Sequence, residues 1–356
     1  MSGLAAHLQQ AWATRGPLAC ALWPLSLVMG GLVGLRRFGY RIGVWRPVRL
    51  PVPVVVVGNL VAGGAGKTPT VLAVVSLLQA QGHRPAIMSR GHGRADTLVR
   101  EVAPGTDAGL AGDEPLLLRR RSGVPVWVGH DRVAAGRALL HHHPDTTVLV
   151  SDDGLQHLAL ARDLQIVVFD ERGTGNGWLL PAGPLREPMP DRTDTAFGGV
   201  PSLVVYNAPR PSTALEGTLA RTRLAGVVPL ADWHRGAPSR PLDQLPRQRR
   251  LAVAGTARPQ RFFGMLRAAG VDVVECPMPD HHPYATLPWP ADTPAVLTTE
   301  KDAVKLDPAR LGATQVWVLP LDLALDPAVA DALRRHIPAP PSPVAPPTAA
   351  DGHPTA

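Results

Sequence analysis

Residues 54–70 read VVVVGNLVAGGAGKTPT. Four consecutive valines leave a strand no polar face, which predicts burial on both sides in a parallel sheet. A glycine cluster follows, then Lys67-Thr68 and the apolar run TPTVLAVVSLLQAQG (68–82), which predicts a helix. Strand, glycine-rich turn and helix together make a phosphate-binding loop. Glycines let backbone N–H groups converge on phosphate oxygens, and the helix N-terminus adds positive potential. Across Val61, Ala62, Gly63, Gly64, Ala65, Gly66, Lys67 and Thr68, the motif assigns Lys67 to the β/γ-phosphates of a nucleotide and Thr68 to Mg²⁺. The strict spacing G-x-x-x-x-G-K-[ST] would need glycine where Val61 stands, so this loop is a variant. Composition also singles out the lysine: the chain has 33 Arg and three Lys, and one of the three is here.

Outward from the loop, short apolar runs alternate with helical patterns. RPAIMSRG (84–91), VPVWVG (124–129), TTVLVSDDG (146–154) and LQIVVFD (164–170) read as strands. DEPLLLRRRSG (113–123) and DRVAAGRALLHHHP (131–144) read as helices between them. After a turn-rich stretch, strands at 201–207 and 250–257, a helix at 258–270 and further strands suggest a second, smaller lobe. The expected fold class is α/β: a phosphate-loop NTPase-like parallel sheet flanked by helices, a smaller α/β lobe, and an N-terminal membrane-associated helix. The expected division is 1–48 for that helix and its basic flank, 49–200 for the core and 201–337 for the second lobe. The Pro/Ala tail at 338–356 lacks the apolar content for a core and is expected to be disordered.

Residues 16–35, GPLACALWPLSLVMGGLVGL, carry no charge and are about as long as a hydrocarbon layer is thick. Five arginines follow between Arg36 and Arg49, which places the rest of the chain on the cytoplasmic side. A core helix or a signal peptide are the competing readings; no small-x-small cleavage site precedes the arginines. Residues 1–95 carry +10 with no Asp or Glu, and the remainder carries −3. Such a polarised chain favours an anionic surface, and the apolar neighbour favours membrane over nucleic acid. Cys20 and Cys276 lie far apart and form no metal or disulfide framework, as in a reducing compartment.

Chemistry-bearing residues cluster at loop positions. Asp152 and Asp153 end an apolar strand, where phosphate-loop enzymes hold metal, with Gln156 and His157 just beyond. Arg186-Glu187 lies in the Pro/Gly-rich LLPAGPLREP, suited to phosphate and metal. Asp113 begins a helix and reads equally as a cap. His281 and His282 flank Asp280, and either imidazole has the titration range of a base. Lys301 and Lys305 follow a strand in LTTEKDAVK; Lys305 is equally readable as part of a solvated turn.

VGNLVAGGAGKTP, SRGHGR, GDEP, SDDGLQH, NGWLLPAGPLREP, DHHPY and TTEKDAVK occur in this order over residues 57–305. The chain resembles the tetraacyldisaccharide 4′-kinases, the lipid A pathway enzymes of Gram-negative bacteria. The resemblance implies transfer of the γ-phosphoryl of ATP to the 4′-hydroxyl of a tetraacyldisaccharide 1-phosphate at the cytoplasmic face of the inner membrane. It implies ATP and Mg²⁺, an acylated disaccharide lipid and a membrane surface as partners, with no nucleic acid and no protein partner. By this similarity residues 61–68 bind nucleotide, and Thr68, Asp152, Asp153 and Glu187 surround the metal. Asp113 with His281 is the proposed base, Lys67 and Arg186 stabilise charge, and Gln156, Arg132 and Lys301 line the nucleotide or substrate site. The rival reading is a membrane-docked ATPase switch that hydrolyses ATP without touching lipid; DHHPY and the second lobe have no obvious use there.

Overall fold

The computed structural model describes residues 10–103, 105–190, 199–245 and 249–340. The rest, including most of the Pro/Ala tail, lies outside the described residues. The valine run forms β1 (Val54–Gly58), every residue of which is buried. With it come β2 (Pro85–Ser89), β3 (Arg100–Glu101), β4 (Val126–Val128), β5 (Val148–Asp152), β6 (Leu164–Asp170), β7 (Ser202–Asn207) and β8 (Thr218–Leu219). They form one eight-stranded sheet in the order β3-β4-β2-β5-β1-β6-β7-β8. All neighbours are parallel except β3, which runs against β4. β1 lies between β5 and β6, and the chain leaves it for β2 on the far side of β5. The order reverses there, which opens a crevice beyond the strands' carboxyl ends.

Helices cover both faces, as continuous apolar strands require. α1 is Pro17–Arg41, α2 Lys67–Ala80, α3 Ala108–Ala111, α4 Asp113–Ser122 and α5 Arg132–His142. Val71, Val74, Val75 and Leu78 of α2 join one core cluster with Val55 and Val57 of β1. Leu139 of α5 joins the cluster on the other face with Val54 and Val56. The alternation of valines between the two clusters is the period-2 signature of a strand.

β9 (Arg221–Leu224) leads out of the first sheet. The second sheet follows, built from β10 (Val228–Pro229), β11 (Arg250–Ala254), β12 (Val273–Pro277), β13 (Ala295–Thr299) and β14 (Gln315–Leu319), in the order β10-β14-β13-β11-β12. Its helices are α6 (Leu230–His234), α7 (Pro259–Ala268) and α8 (Glu300–Ala303). The chain returns along β15 (Leu321–Ala324), antiparallel to β9, and α9 (Pro327–His336) packs Val329 and Leu333 into the α2 core of the first sheet. The expected division at residue 200 differs from this arrangement. β7 pairs with β6 over six residues, so the strand at 202–207 belongs to the first sheet. An isolated apolar strand does not encode which sheet it joins; only its partners do.

α1 is 25 residues long, and its most apolar window has a mean hydropathy of 1.9 and is 11% buried. Leu25, Val28, Leu32 and Leu35 are all exposed. One narrow stripe docks on the loop between β6 and β7. Ser26 Oγ donates to Leu179 O (2.7 Å) and accepts from Ala182 N–H (3.0 Å), while Trp23 packs on Trp178. Ser26→Ala would leave the buried Ala182 N–H unpaired, while Leu179 O keeps the Gly183 N–H, a loss of about 1–3 kcal/mol. A fall in Tm of several degrees is expected for Ser26→Ala, against a change within error for Leu32→Ala on the exposed face; equal melting of the two variants would contradict this docking.

Candidate active site

The phosphate loop is held from below by one buried side chain. Asn59 Nδ2 donates to Val61 O (2.6 Å) and Gly63 O (3.2 Å), and Asn59 Oδ1 faces Lys67 Nζ at 3.3 Å. Gly63 and Gly66 take φ of +92° and +87°, which a side chain would strain. A Cβ on Gly66 would also run into Asn207 Nδ2. Ala62 N–H donates to Pro184 O and Arg186 N–H to Leu60 O, so the LLPAGPLREP loop is fastened to the phosphate loop by backbone bonds.

Both loops line a cavity of about 770 Å³ at the carboxyl ends of β1 and β5. Gly63, Gly64, Gly66, Lys67, Thr68, Asp152, Asp153, Gln156, Arg186 and Glu187 line it on one side. Asp280, His281 and Lys301 line it from the second sheet. Val61 and Ala65 are buried in the loop's support, and neither they nor Ala62 line the cavity.

The two aspartates that end β5 have opposite electrostatics. Asp153 is bracketed by Lys67 (3.6 Å) and Arg186 (2.9 Å). Burial alone would raise its pKa, but Lys67 and then Arg186 hold it below the usual carboxylate value. Asp152 is 1% exposed, and Ser89 Oγ donates to its Oδ2 while Oδ1 has no partner. Burial, with Glu114 and Asp153 adding negative charge, pushes its pKa up to about 7. Glu187 is also raised, chiefly by burial, and its Oε2 pairs with Arg37 of α1. Gln156 accepts from Arg186 and donates to Asn59 O.

A second polar group faces the first across the cavity. Asp113, the first residue of α4 after Gly112, places Oδ2 3.1 Å from His281 Nδ1. Asp113 lies behind His281, which lines the cavity and carries a φ of +59°. His281 Nε2 points to Lys301 Nζ at 3.4 Å, and Lys301 also pairs with Asp280 and Glu114. Burial alone would raise the Asp113 pKa; the bond to His281 and the Lys305 charge hold it low. His282 is turned away, its Nδ1 accepting Tyr284 N–H. The two histidines, equivalent in sequence, are thereby separated by geometry.

Arg132 is placed differently from the sequence expectation. It is 2% exposed and does not line the cavity; its guanidinium donates to Gly129 O and Asp152 O beneath β5. Its charge acts on the aspartates from behind, where a partly apolar helix face buries the stem. Asn207, Arg258, Arg261 and Arg37 line the cavity and escaped the sequence reading. Asn207 ends β7 as Asp152 ends β5, so a polar residue closing an apolar strand was the available signal. The arginines gave none, being three among 33.

A glycine-rich loop at a parallel-sheet switch point, with acids on the neighbouring strand, defines a phosphate-loop nucleotide-binding protein. A family model described as LpxK, tetraacyldisaccharide-1-P 4′-kinase, matches residues 18–338. Relatives named tetraacyldisaccharide 4′-kinase include one from Leptothrix cholodnii, 57% identical over 89% of this chain and 92% of its own. Another, from Methylibium petroleiphilum, is 54% identical over 93% of both chains. The crystal structure of LpxK from Aquifex aeolicus in complex with ATP superposes with a TM-score of 0.74 at 28% identity, covering 90% of this chain and 99% of that one. The chain belongs to the tetraacyldisaccharide-1-P 4′-kinase family.

The Asp152 environment yields a signed pH effect. An acid whose folded-state pKa is raised favours folding while protonated, and this contribution is lost as pH rises toward the folded value. In chelator-treated protein, Asp152→Asn should therefore gain stability relative to the parent from about pH 4 to about pH 7, read as a widening difference in Tm. A pH-independent difference would show that Asp152 is not an uncompensated buried acid.

Proposed function

We propose that the chain transfers the γ-phosphoryl of ATP to the 4′-hydroxyl of a tetraacyldisaccharide 1-phosphate, forming the bisphosphorylated lipid A precursor lipid IVA at the cytoplasmic face of the bacterial inner membrane. The observation that carries this is a single cavity shared by three structures: the phosphate loop, the Asp113–His281 pair, and α1, which contributes Met29, Val33, Arg36 and Arg37. In this reading the donor site, the base and the apolar helix that rests on the membrane share one cavity. Family membership over residues 18–338 supports the kinase over an ATPase switch, which would use neither the base nor the lipid-facing wall.

Backbone N–H groups of Gly63, Gly64 and Gly66 and the N-terminus of α2 receive the phosphates, with Lys67 as point charge. Arg186, held on Asp153, supplies a second cation beside them. Thr68, Asp152 and Asp153 fit a divalent cation: a hydroxyl, a carboxylate and a buried carboxylate with an unpartnered oxygen share one wall. Thr68, Asp152 and Asp153 would hold Mg²⁺, which would supply neutralisation of phosphate charge. Glu187, expected in the same set, lines the same cavity and also pairs with Arg37 of α1. His281 receives the hydroxyl proton at Nε2 while Asp113 accepts its Nδ1–H and stabilises the imidazolium. Lys301 shares the same edge of the imidazole and orients the acceptor sugar.

The exposed face of α1 would rest in the headgroup layer, where four acyl chains hold the acceptor. Arg36, Arg41, Arg46 and Arg49 on its flank would meet anionic lipid and the substrate's 1-phosphate.

Incubation of the protein with Mg-ATP and the monophosphorylated lipid in detergent is expected to add one phosphoryl mass to the lipid. His281→Ala should lower kcat by about 10²–10⁴-fold with ATP affinity retained. ATP consumption without a lipid mass gain would leave the switch reading standing. Val28→Glu/Leu32→Glu/Leu35→Glu should move the chain from the membrane to the soluble fraction with its melting curve intact; unchanged fractionation would refute the surface docking.

A further inference from the structure

Lys305, two residues beyond α8, is the third lysine of the chain and has no part in the reaction described so far. Its side chain is 5% exposed. Nζ stands 3.2 Å from Asp113 Oδ2 and 3.6 Å from Asp302 Oδ1, with the Tyr284 ring centroid at 5.3 Å. No further acceptor meets Nζ among the described residues, so its charge answers to these two carboxylates.

The two carboxylates differ in kind. Asp302 is fully buried and already anchored: Gly255 N–H and Thr299 Oγ1 both donate to its Oδ2. Asp113 belongs to α4, which packs on the first sheet, while Lys305 and Asp302 belong to the second. His281, from the loop after β12, meets the same Oδ2 that Lys305 meets. A chain of contacts therefore runs His281–Asp113–Lys305–Asp302, from the cavity wall to a rigid anchor in the second sheet.

Resting on the kinase reading above, we infer that Lys305 is a positioning residue: it keeps Asp113 ionised and aligned on His281, and so sets the pH range in which the pair accepts a proton. A buried carboxylate left without a cation takes up a proton readily, and a protonated Asp113 no longer holds the imidazole in the tautomer with Nε2 free. The groups facing the pair are Glu114 on its own helix, His92 from the loop after β2, Asp280 and Tyr284 from the loop after β12, and Lys301, Asp302 and Lys305 from α8 and its exit. Among the described residues Lys305 is the one Lys or Arg paired with Asp113; Lys301 pairs with Glu114 and Asp280.

The test compares Lys305→Met, Lys305→Arg and the double variant Lys305→Met/Asp302→Asn with the parent in the lipid phosphorylation assay. Lys305→Met should lower kcat near neutral pH by about 10–100-fold, with KM for ATP and lipid within about threefold. The acid limb of its kcat profile should move upward by about one pH unit, since removal of a cation makes the pair more basic. Lys305→Arg should return the limb toward its original position. The double variant separates this from a merely structural role, because it removes the buried charge on Asp302 together with its counter-ion and leaves Asp113 as the one carboxylate deprived of Lys305. Under the inference it folds and keeps both the low kcat and the shifted limb. A double variant with parental kcat and parental limb would mean that Lys305 only neutralises Asp302, and would overturn the inference. So would an unmoved limb in Lys305→Met. Failure of the parent chain to phosphorylate lipid would instead count against the kinase reading.

Discussion

Lys67 is the cation on which the site is assembled. Its stem leaves the first turn of α2, its ammonium meets Asn59 and Asp153, and both partners are tied to other parts of the site. Asn59 shapes the loop that precedes it. Asp153 holds Arg186, which belongs to the loop on which α1 docks. A charge in a largely buried setting must be answered at short range. The phosphate loop, the acidic strand end and the apolar helix α1 are therefore fixed relative to one another before any phosphate arrives.

The second half of the site is built on the same rule with the signs exchanged. Asp113 is the buried anion, and His281 and Lys305 answer it from the other sheet. Phosphoryl transfer asks a protein for position and charge rather than covalent chemistry. Two charge networks border one cavity, and the proposed reaction assigns the donor to one and the acceptor's proton to the other. α1 adds Met29, Val33, Arg36 and Arg37 to the same cavity, the apolar and basic wall that the proposal gives to a lipid acceptor.

The sequence was informative where one residue type has one physical use. Four valines before a glycine cluster admit few structures other than a buried parallel strand feeding a phosphate loop, and Val54–Gly58 is that strand. Asp152 and Asp153 at the end of an apolar run were legible for the same reason. The sequence was silent where a residue's meaning depends on its partner. Lys305 in a charged turn reads equally as solvated or as part of a site, and its side chain is 5% exposed because Asp113 arrives from a helix on the other sheet. The family resemblance implied a site role for Arg132, yet its guanidinium lies beneath β5. The strand at 202–207 looked like the start of a new lobe, because sheet membership is decided by pairing over long sequence separations. The motif order carried the family, but the geometry was needed to separate His281 from His282.

The central claim is that the phosphoryl group leaves ATP for a sugar hydroxyl and not for water. Phosphorus NMR of a single reaction mixture decides this directly, since it follows ATP, ADP, inorganic phosphate and the lipid phosphomonoesters together. The account predicts a second lipid phosphomonoester resonance growing in step with ADP. Inorganic phosphate growing in step with ADP, with the lipid resonance unchanged, would contradict it.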